Sequence, residues 1–182
     1  MNTIVRLILL AVALALPATT VSAQAGFEWL PPDGCEILLS LERSDVLDVV
    51  TMDKSQEEWR AFFADEGLPE AELNTLAAYL AIRGPVAESG LPASPADLTC
   101  EALPMEGRQL LMEQCQNCHS IGPVVLMGKQ PVAWVILMEG PTHGVLELTE
   151  EQMQAIAHYL HFNAPVPEED IPPELNQPLQ GY

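Results

Sequence analysis

The segment Cys115-Gln116-Asn117-Cys118-His119 constrains this chain more than any other feature of its sequence. Two cysteines separated by two residues and followed at once by a histidine form the C-x-x-C-H pattern that attaches haem covalently. The two thiols reach neighbouring vinyl groups on one edge of the ring, and the next residue binds the iron as its proximal ligand. We therefore predict one covalently bound haem c, held by Cys115, Cys118 and His119.

Two other kinds of site use a Cys-x-x-Cys pair, namely zinc sites and thiol redox sites. A zinc ribbon requires a second cysteine pair of similar spacing, and the remaining Cys35 and Cys100 do not form one. A thioredoxin-like motif belongs in a βαβ setting, which this sequence lacks. Haem attachment is therefore the favoured interpretation.

The N-terminus predicts export. An unbroken apolar run extends from Leu7 to Leu16 and ends at Pro17, and Val21-Ser22-Ala23 is a small-x-small cleavage site, with Ala23-Gln24-Ala25 as a second candidate. The run is shorter than the ~20 residues that span a bilayer, which favours a cleaved signal peptide over a retained anchor. We predict a signal peptide over residues 1–25, a periplasmic location and no transmembrane anchor after cleavage.

Cys35 and Cys100 remain once the haem pair is assigned. In an oxidising compartment an even remainder indicates one disulfide rather than two buried thiols. The bond would close a loop of 65 residues. The chain-entropy model gives about 4 kcal/mol of stabilisation for a loop of that length.

The charge of the chain limits its partners. The formal net charge is −19, and Lys54 and Lys129 are the only lysines. A chain of this charge does not bind nucleic acid or anionic lipid electrostatically. Any electrostatic docking must present negative charge, so we predict a redox partner protein with a basic docking face.

The sequence contains an internal repeat. Val49-Val50-x-Met52-x-Lys54-x4-Trp59 recurs as Val124-Val125-x-Met127-x-Lys129-x4-Trp134 at an offset of 75 residues. At an offset of 80, shared positions in the C-terminal part of each unit are Leu68, Glu70, Ala77, Tyr79, Leu80, Pro85 and Val86 with Leu148, Glu150, Ala157, Tyr159, Leu160, Pro165 and Val166. Gly34-x-x-Ile37-Leu38 also matches Gly107-x-x-Leu110-Leu111. Shared Trp, Tyr and Pro positions at fixed spacing indicate duplication.

Each unit has the same helical plan, which predicts an all-α fold of two tandem units. The first unit covers residues 26–103, the second covers 104–165, and an extended, proline-rich C-terminal arm covers 166–182. The last helix of the second unit begins with a capping box, Thr149 and Gln152. Apolar stripes at i, i+3, i+4 and i+7 mark the last helix of both units, through Leu73, Leu76, Ala77 and Leu80 and through Met153, Ile156, Ala157 and Leu160. Pro85 and Pro165 should end these helices.

The second unit resembles the class I cytochrome c family, over roughly residues 104 to 165. The order of a small-residue helix, C-x-x-C-H, a middle helix, a ligand loop and a terminal helix with Tyr159 and Leu160 carries the resemblance. The resemblance implies a monohaem electron carrier in which Gly107 and Leu111 pack against the terminal helix. It also implies a sixth iron ligand from the loop before that helix.

The sixth ligand departs from the family pattern, in which a methionine is usual. His143 lies nearest the ligand position, five residues before Leu148, so we predict bis-histidine ligation. Met138 and Met127 are the competitors; Met138 suits core packing, and Met127 has a counterpart at Met52. His158 and His161 lie off the apolar stripe and are interpreted as surface histidines.

The first unit lacks a haem site. At the offset of 75, the positions of Cys115, Cys118 and His119 are occupied by Ser40, Arg43 and Ser44. We interpret the first unit as a degenerate, haem-less cytochrome c-like unit.

The combined prediction is a periplasmic electron-transfer protein that is not itself an enzyme. It would act as a subunit or dedicated partner of a larger periplasmic or membrane-bound oxidoreductase, and the C-terminal arm would lie across a partner or across the first unit. The alternative is a haem enzyme or gas sensor with an open sixth coordination site.

Overall fold

The structure, a computed structural model, describes residues 28–118 and 120–176. Its α-helices in the first unit are α1 Gly34–Ser40, α2 Val46–Val50, α3 Gln56–Phe62 and α4 Glu70–Arg83, and those in the second are α5 Gly107–Leu110, α6 Gly122–Val125, α7 Pro131–Met138 and α8 Glu150–Asn163. These described residues contain no strand, so the predicted all-α fold is correct. The predicted signal peptide lies outside the described residues, and no described helix has the length and apolar character needed to cross a membrane.

The helix ends follow the predicted signals. The Thr149 hydroxyl accepts a hydrogen bond from the Gln152 backbone N–H at 3.2 Å, and the Gln152 side chain accepts one from the Thr149 N–H at 2.9 Å. This reciprocal pair confirms the capping box at the start of α8. Ser55 and Glu58 form the same arrangement at the start of α3. The helices α4 and α8 end two residues before Pro85 and Pro165.

Two hydrophobic clusters form the interior of the described chain. The first contains Leu76, Ala77 and Leu80 of α4, and the second contains Ile156, Ala157 and Leu160 of α8. These are the apolar faces predicted from the helical periodicity. Other fully buried members are Leu38, Val49, Trp59 and Phe63 in the first cluster and Leu110, Leu111, Ile121 and Trp134 in the second.

A glycine lets the first helix of each unit cross the last at very short distance. A Cβ atom added to Gly34 would lie 2.2 Å from the Tyr79 Cβ, and one added to Gly107 would lie 2.5 Å from the Tyr159 Cβ. Real Cβ atoms do not approach this closely, so only glycine permits these crossings. The Gly107–Tyr159 contact is the one that the family resemblance implies, and the first unit repeats it.

The two units hold each other reciprocally. The Tyr79 hydroxyl donates to the carbonyl oxygen of Pro104 at 3.2 Å, and the Tyr159 hydroxyl donates to that of Pro31 at 2.8 Å. Each acceptor precedes the first helix of the opposite unit. The adjacent leucines are exchanged in the same way, because Leu30 packs in the second cluster and Leu103 in the first. The helices α4 and α8 also pack directly on each other.

Further details are repeated around the tryptophans. The Lys54 ammonium lies 5.9 Å from the Trp59 ring centre, and the Lys129 ammonium lies 5.9 Å from that of Trp134. The Val86 backbone N–H donates to the Val50 carbonyl at 2.9 Å, and Val166 donates to Val125 at the same distance. The repeat in the sequence is therefore a repeat in three dimensions.

The predicted pairing of Cys35 with Cys100 is present. Their sulfurs lie 2.12 Å apart, with Cys35 fully buried in α1 and Cys100 half-buried at the start of the 3-10 turn Cys100–Ala102. The bond fastens the segment between the units to the first helix of the first unit.

Buried polar groups lie at the junction of the two units. Asp33 and Glu106, at equivalent positions before α1 and α5, are both buried, and the Arg108 guanidinium lies 3.7 Å from the Asp33 carboxylate. His158 lines the same junction, where burial and the neighbouring His161 lower its pKa. The interpretation of His158 as a surface histidine is therefore wrong, because α8 turns this side chain towards α4 and the first unit.

The helix crossings predict a large penalty for side chains at Gly34 and Gly107. We expect Gly34→Ala and Gly107→Ala each to lower the free energy of unfolding by ~1–3 kcal/mol, because the new methyl group must displace a tyrosine or backbone. Gly90→Ala is the matched control, since nothing lies within 4 Å of its added Cβ. Urea denaturation measures all three. Equal stability of the Gly34 and Gly90 variants would show that the crossing is loose.

Candidate functional site

The two cysteines of the C-x-x-C-H segment lie on one turn that follows a wide helical segment. Leu111–Cys115 is a π-helical stretch that continues directly from α5, and Cys118 donates its backbone N–H to the Cys115 carbonyl at 3.4 Å. A π-segment shifts the faces of the residues beyond it, and such segments recur at functional sites. Here it turns the Cys115 side chain towards the second cluster while Cys118 remains exposed.

The environment of Cys115 keeps its thiol protonated. Burial, with a smaller contribution from Cys118, raises the pKa of the Cys115 thiol to about 11. A thiol of this pKa is almost fully neutral at pH 7. Cys115 thus lies among apolar side chains as a small uncharged group, in a position where a covalent partner would extend from the core of the second unit.

His119, the predicted proximal ligand, lies outside the described residues. The residues on either side of it, Cys118 and Ser120, are described. The structure therefore gives the frame on both sides of the histidine and leaves its role as iron ligand a prediction.

The C-terminal arm packs on the segment that follows His119. The Leu175 carbonyl accepts hydrogen bonds from the Gly122 backbone N–H at 2.9 Å and from the Ser120 hydroxyl. Val166 and Ile171 are buried in the second cluster, and Leu175 packs against it. The expectation that the arm lies across a partner or the first unit is wrong for its described part, because these apolar residues complete the second core instead.

His143 has the hydrogen bond that orients a metal-binding imidazole. It ends the 3-10 turn Pro141–His143, and its Nδ1 lies 3.0 Å from the Leu137 carbonyl oxygen. A carbonyl oxygen only accepts, so Nδ1 carries the proton and the lone pair of the neutral ring lies on Nε2. A backbone carbonyl commonly fixes the tautomer and orientation of a metal-ligating histidine in this way.

The competing methionines belong to the packed interior. Met138 is 7% exposed and lies in the second cluster with Trp134. Met127 is half-buried against the same cluster, and its counterpart Met52 packs against the first. Both therefore have a packing role that the repeat accounts for.

The outer face of α7 is apolar where its counterpart in the first unit is not. Val132 and Ile136 are 65% and 63% exposed, one helical turn apart. The equivalent positions in α3 are Glu57 and Ala61. Val145, in the loop after His143, is also exposed. Exposed apolar side chains that a matched unit lacks indicate a surface that another group covers.

The first unit fills the corresponding region with its own side chains. Arg43, which stands where the second unit has Cys118, places its guanidinium 5.2 Å from the ring centre of Phe62 and 5.7 Å from that of Phe63. The same guanidinium pairs with Asp45 at 2.7 Å and with Glu66. Trp59 stacks on Phe63 with ring centres 5.8 Å apart. The second unit has Leu137 and Met138 at the positions of the two phenylalanines.

The chemistry of the second unit suits a covalently attached haem. Two thiols lie on one turn, one of them against an apolar core, and a histidine with a defined tautomer lies in the loop before the last helix. Such a set offers two thioether links and an axial nitrogen ligand. Sequence reasoning found these residues through the C-x-x-C-H spacing, but it missed the arm at Gly122 because the partner is 53 residues away along the chain.

Comparisons with known proteins give no further assignment. The sequence matches no family model and no curated protein, and no solved structure matches the fold.

The seat of the arm predicts a specific role for Gly122. A Cβ atom at this position would lie 2.4 Å from the Leu175 carbonyl oxygen, so we expect Gly122→Ala to detach the arm and to destabilise the second unit by ~1–3 kcal/mol. Limited proteolysis should then cleave near residue 170 faster than in the unaltered chain. Gly144→Ala is the control, because its added Cβ makes only ordinary contact at 3.6 Å with the Pro141 carbonyl oxygen. Unchanged cleavage in the Gly122 variant would mean that the arm is not seated there.

Proposed function

We propose that this protein is a periplasmic monohaem c-type cytochrome that transfers single electrons, with its one haem c in the second unit. In this assignment Cys115 and Cys118 form the thioether bonds, His119 is the proximal iron ligand and His143 is the distal ligand. The bound haem supplies the one-electron couple between ferrous and ferric iron. The chain itself is the carrier and not an enzyme, although it can be a subunit of one.

The contrast between the two units is the observation that carries the proposal. They share helices, glycine–tyrosine crossings and tryptophan environments, yet they differ where the haem would attach. The second unit has Cys115, Cys118 and an exposed apolar face on α7. The first has Arg43 over two phenylalanine rings. A duplicated frame that retains apolar surface and thiols in one copy, and fills itself with aromatic rings in the other, fits one haem per chain.

The residues of the second unit have separable tasks. The turn from Cys115 to Cys118 sets the separation of the two thiols, and the buried Cys115 anchors one attachment point to the core. The Leu137 carbonyl holds the proton of His143 on Nδ1 and so presents Nε2. The Leu175 carbonyl fixes the backbone just after His119 through Ser120 and Gly122. Both proposed axial ligands are thus adjoined by a backbone carbonyl that restrains them or their neighbours.

The partner is proposed from charge. Because the chain carries a net charge of −19 and only two lysines, it has no lysine-rich rim with which to dock. A resident oxidoreductase with a basic face complements it, and exposed charges of this kind act within about 10 Å at 0.1 M salt. Raised salt should therefore slow association with such a partner.

Covalent attachment is tested through the thiols one at a time. Cys115→Ala and Cys118→Ala should each leave one thioether bond, and the double variant should leave none. Extraction with acidified acetone, followed by the visible spectrum of the precipitated protein, measures retention. Haem should remain with the unaltered chain and with each single variant that matures, and be lost from the double variant. Extraction of all haem from the unaltered chain would overturn the proposal.

The distal ligand is tested by comparing two histidines with similar hydrogen bonds. His143→Ala should open the sixth position, so that the ferrous protein binds carbon monoxide. His161→Ala is the matched control, since its Nδ1 also lies 3.1 Å from a backbone carbonyl, that of Lys129. We expect the control to retain a low-spin spectrum that carbon monoxide does not change. A weak near-infrared sulfur-to-iron band in the ferric protein would instead assign the ligand to Met138 or Met127.

A further inference from the structure

A buried carboxyl group lies beside the disulfide at the junction of the units. One carboxylate oxygen of Glu106 and the sulfurs of Cys35 and Cys100 all lie within 4.8 Å of one another. The Glu106 Oε2 atom also accepts a hydrogen bond from the Cys35 backbone N–H at 2.8 Å, which fixes the side chain in place. Glu106 is 4% exposed, so it shares a nearly dry environment with the bond.

The surroundings of Glu106 keep it protonated. Burial, and then the hydrogen bond and negative charge of Asp33, raise the pKa of Glu106 to about 10. It is therefore a neutral acid at pH 7. The other titratable or charged groups that face it from the packed elements are Glu36 of α1, Tyr79 of α4, Arg108 of α5 and Tyr159 of α8. Arg108 is engaged by Asp33 and Glu36, and burial raises the pKa of both tyrosines.

The two sulfurs differ in access. Cys35 is 0% exposed, whereas Cys100 is half-buried on a short surface turn. An attacking thiolate therefore reaches the Cys100 sulfur, and Cys35 becomes the leaving group. A thiolate released at Cys35 cannot take a proton from bulk water, and it forms beside the carboxylate of Asp33. Its departure needs an acid within the protein, and Glu106 is the buried carboxyl group at that position.

We propose that the Cys35–Cys100 disulfide is a thiol–disulfide exchange site for a dithiol reductant, with Glu106 as the acid that protonates the departing Cys35 sulfur. This inference is independent of haem, because it concerns the junction and not the C-x-x-C-H segment.

Each step conserves atoms and electrons. The reductant thiolate attacks the Cys100 sulfur, a mixed disulfide forms, the Cys35–Cys100 bond breaks, and Glu106 gives its proton to Cys35. The second thiol of the reductant then attacks its own sulfur in the mixed disulfide and releases Cys100, which takes a proton from water. The dithiol is oxidised to a cyclic disulfide, the protein gains two thiols, and water returns the proton to Glu106.

The rate of reduction by dithiothreitol under native conditions tests the proposal. The full mature chain is sampled over time, alkylated, and analysed for the peptides that contain Cys35 and Cys100, so the other cysteines do not interfere. We expect Glu106→Gln, which keeps an acceptor for the Cys35 N–H, to slow reduction at least tenfold. Glu101→Gln is the matched control, because Glu101 is exposed and adjacent to Cys100, and it should stay within twofold of the unaltered chain.

A second measurement needs no variant. The rate constant, divided by the thiolate fraction of dithiothreitol, should fall about tenfold per pH unit once the pH exceeds about 10, where Glu106 loses its proton. Three results would overturn the proposal: a normalised rate constant that stays flat to pH 11, a Glu106→Gln variant that folds and is reduced as fast as the unaltered chain, or reduction that proceeds only at the rate of global unfolding. The last result would make the bond purely structural.

Discussion

The packing of α4 on α8 is the contact on which the described structure depends. Each of these helices forms the wall of its own hydrophobic cluster and also the boundary with the other unit. The tyrosine on each helix packs on a glycine of its own unit and donates a hydrogen bond to the chain that leads into the other. Neither unit therefore closes its core alone, since Leu30 and Leu103 are exchanged between them. A duplicated chain that forms such reciprocal contacts behaves as one folding unit.

This frame explains how two similar units can have different contents. The glycine–tyrosine crossings, the capped helices and the lysine–tryptophan pairs set the backbone and leave the region around the C-x-x-C-H position free to vary. In the first unit Arg43, Phe62 and Phe63 occupy that region with a cation over aromatic rings. In the second, smaller apolar side chains and a half-buried thiol leave α7 with an apolar outer face. The haem-bearing role that we propose for the second unit rests on this difference.

Much of the fold was predictable because periodicity and caps are local signals. The stripe through Ile156 and Leu160 and the box of Thr149 with Gln152 specified α8, and the count of cysteines specified the bond between Cys35 and Cys100. The C-x-x-C-H spacing likewise identified Cys115 and Cys118. The position of the arm was not predictable, because apolar residues such as Ile171 report that they will be buried and not against what.

The junction shows the same limit more sharply. Asp33 and Glu106 look like ordinary solvated acids in the sequence, and only the exchange of the leading segments buries them together. His158 lies off the apolar stripe of α8, which suggested solvent, but the face beside the stripe packs on the first unit. Polar residues are buried by contacts between units, and the pattern within one helix contains no information about such contacts.

The intact mass of the exported chain most directly tests whether the second unit carries a covalent haem. The protein should be produced with its own leader in a host that attaches haem to C-x-x-C-H segments, and its mass measured under denaturing conditions. We predict one species, the mature chain plus a single haem. A mass of the mature chain alone, or of the chain with two haems, would contradict the assignment of one haem to Cys115 and Cys118.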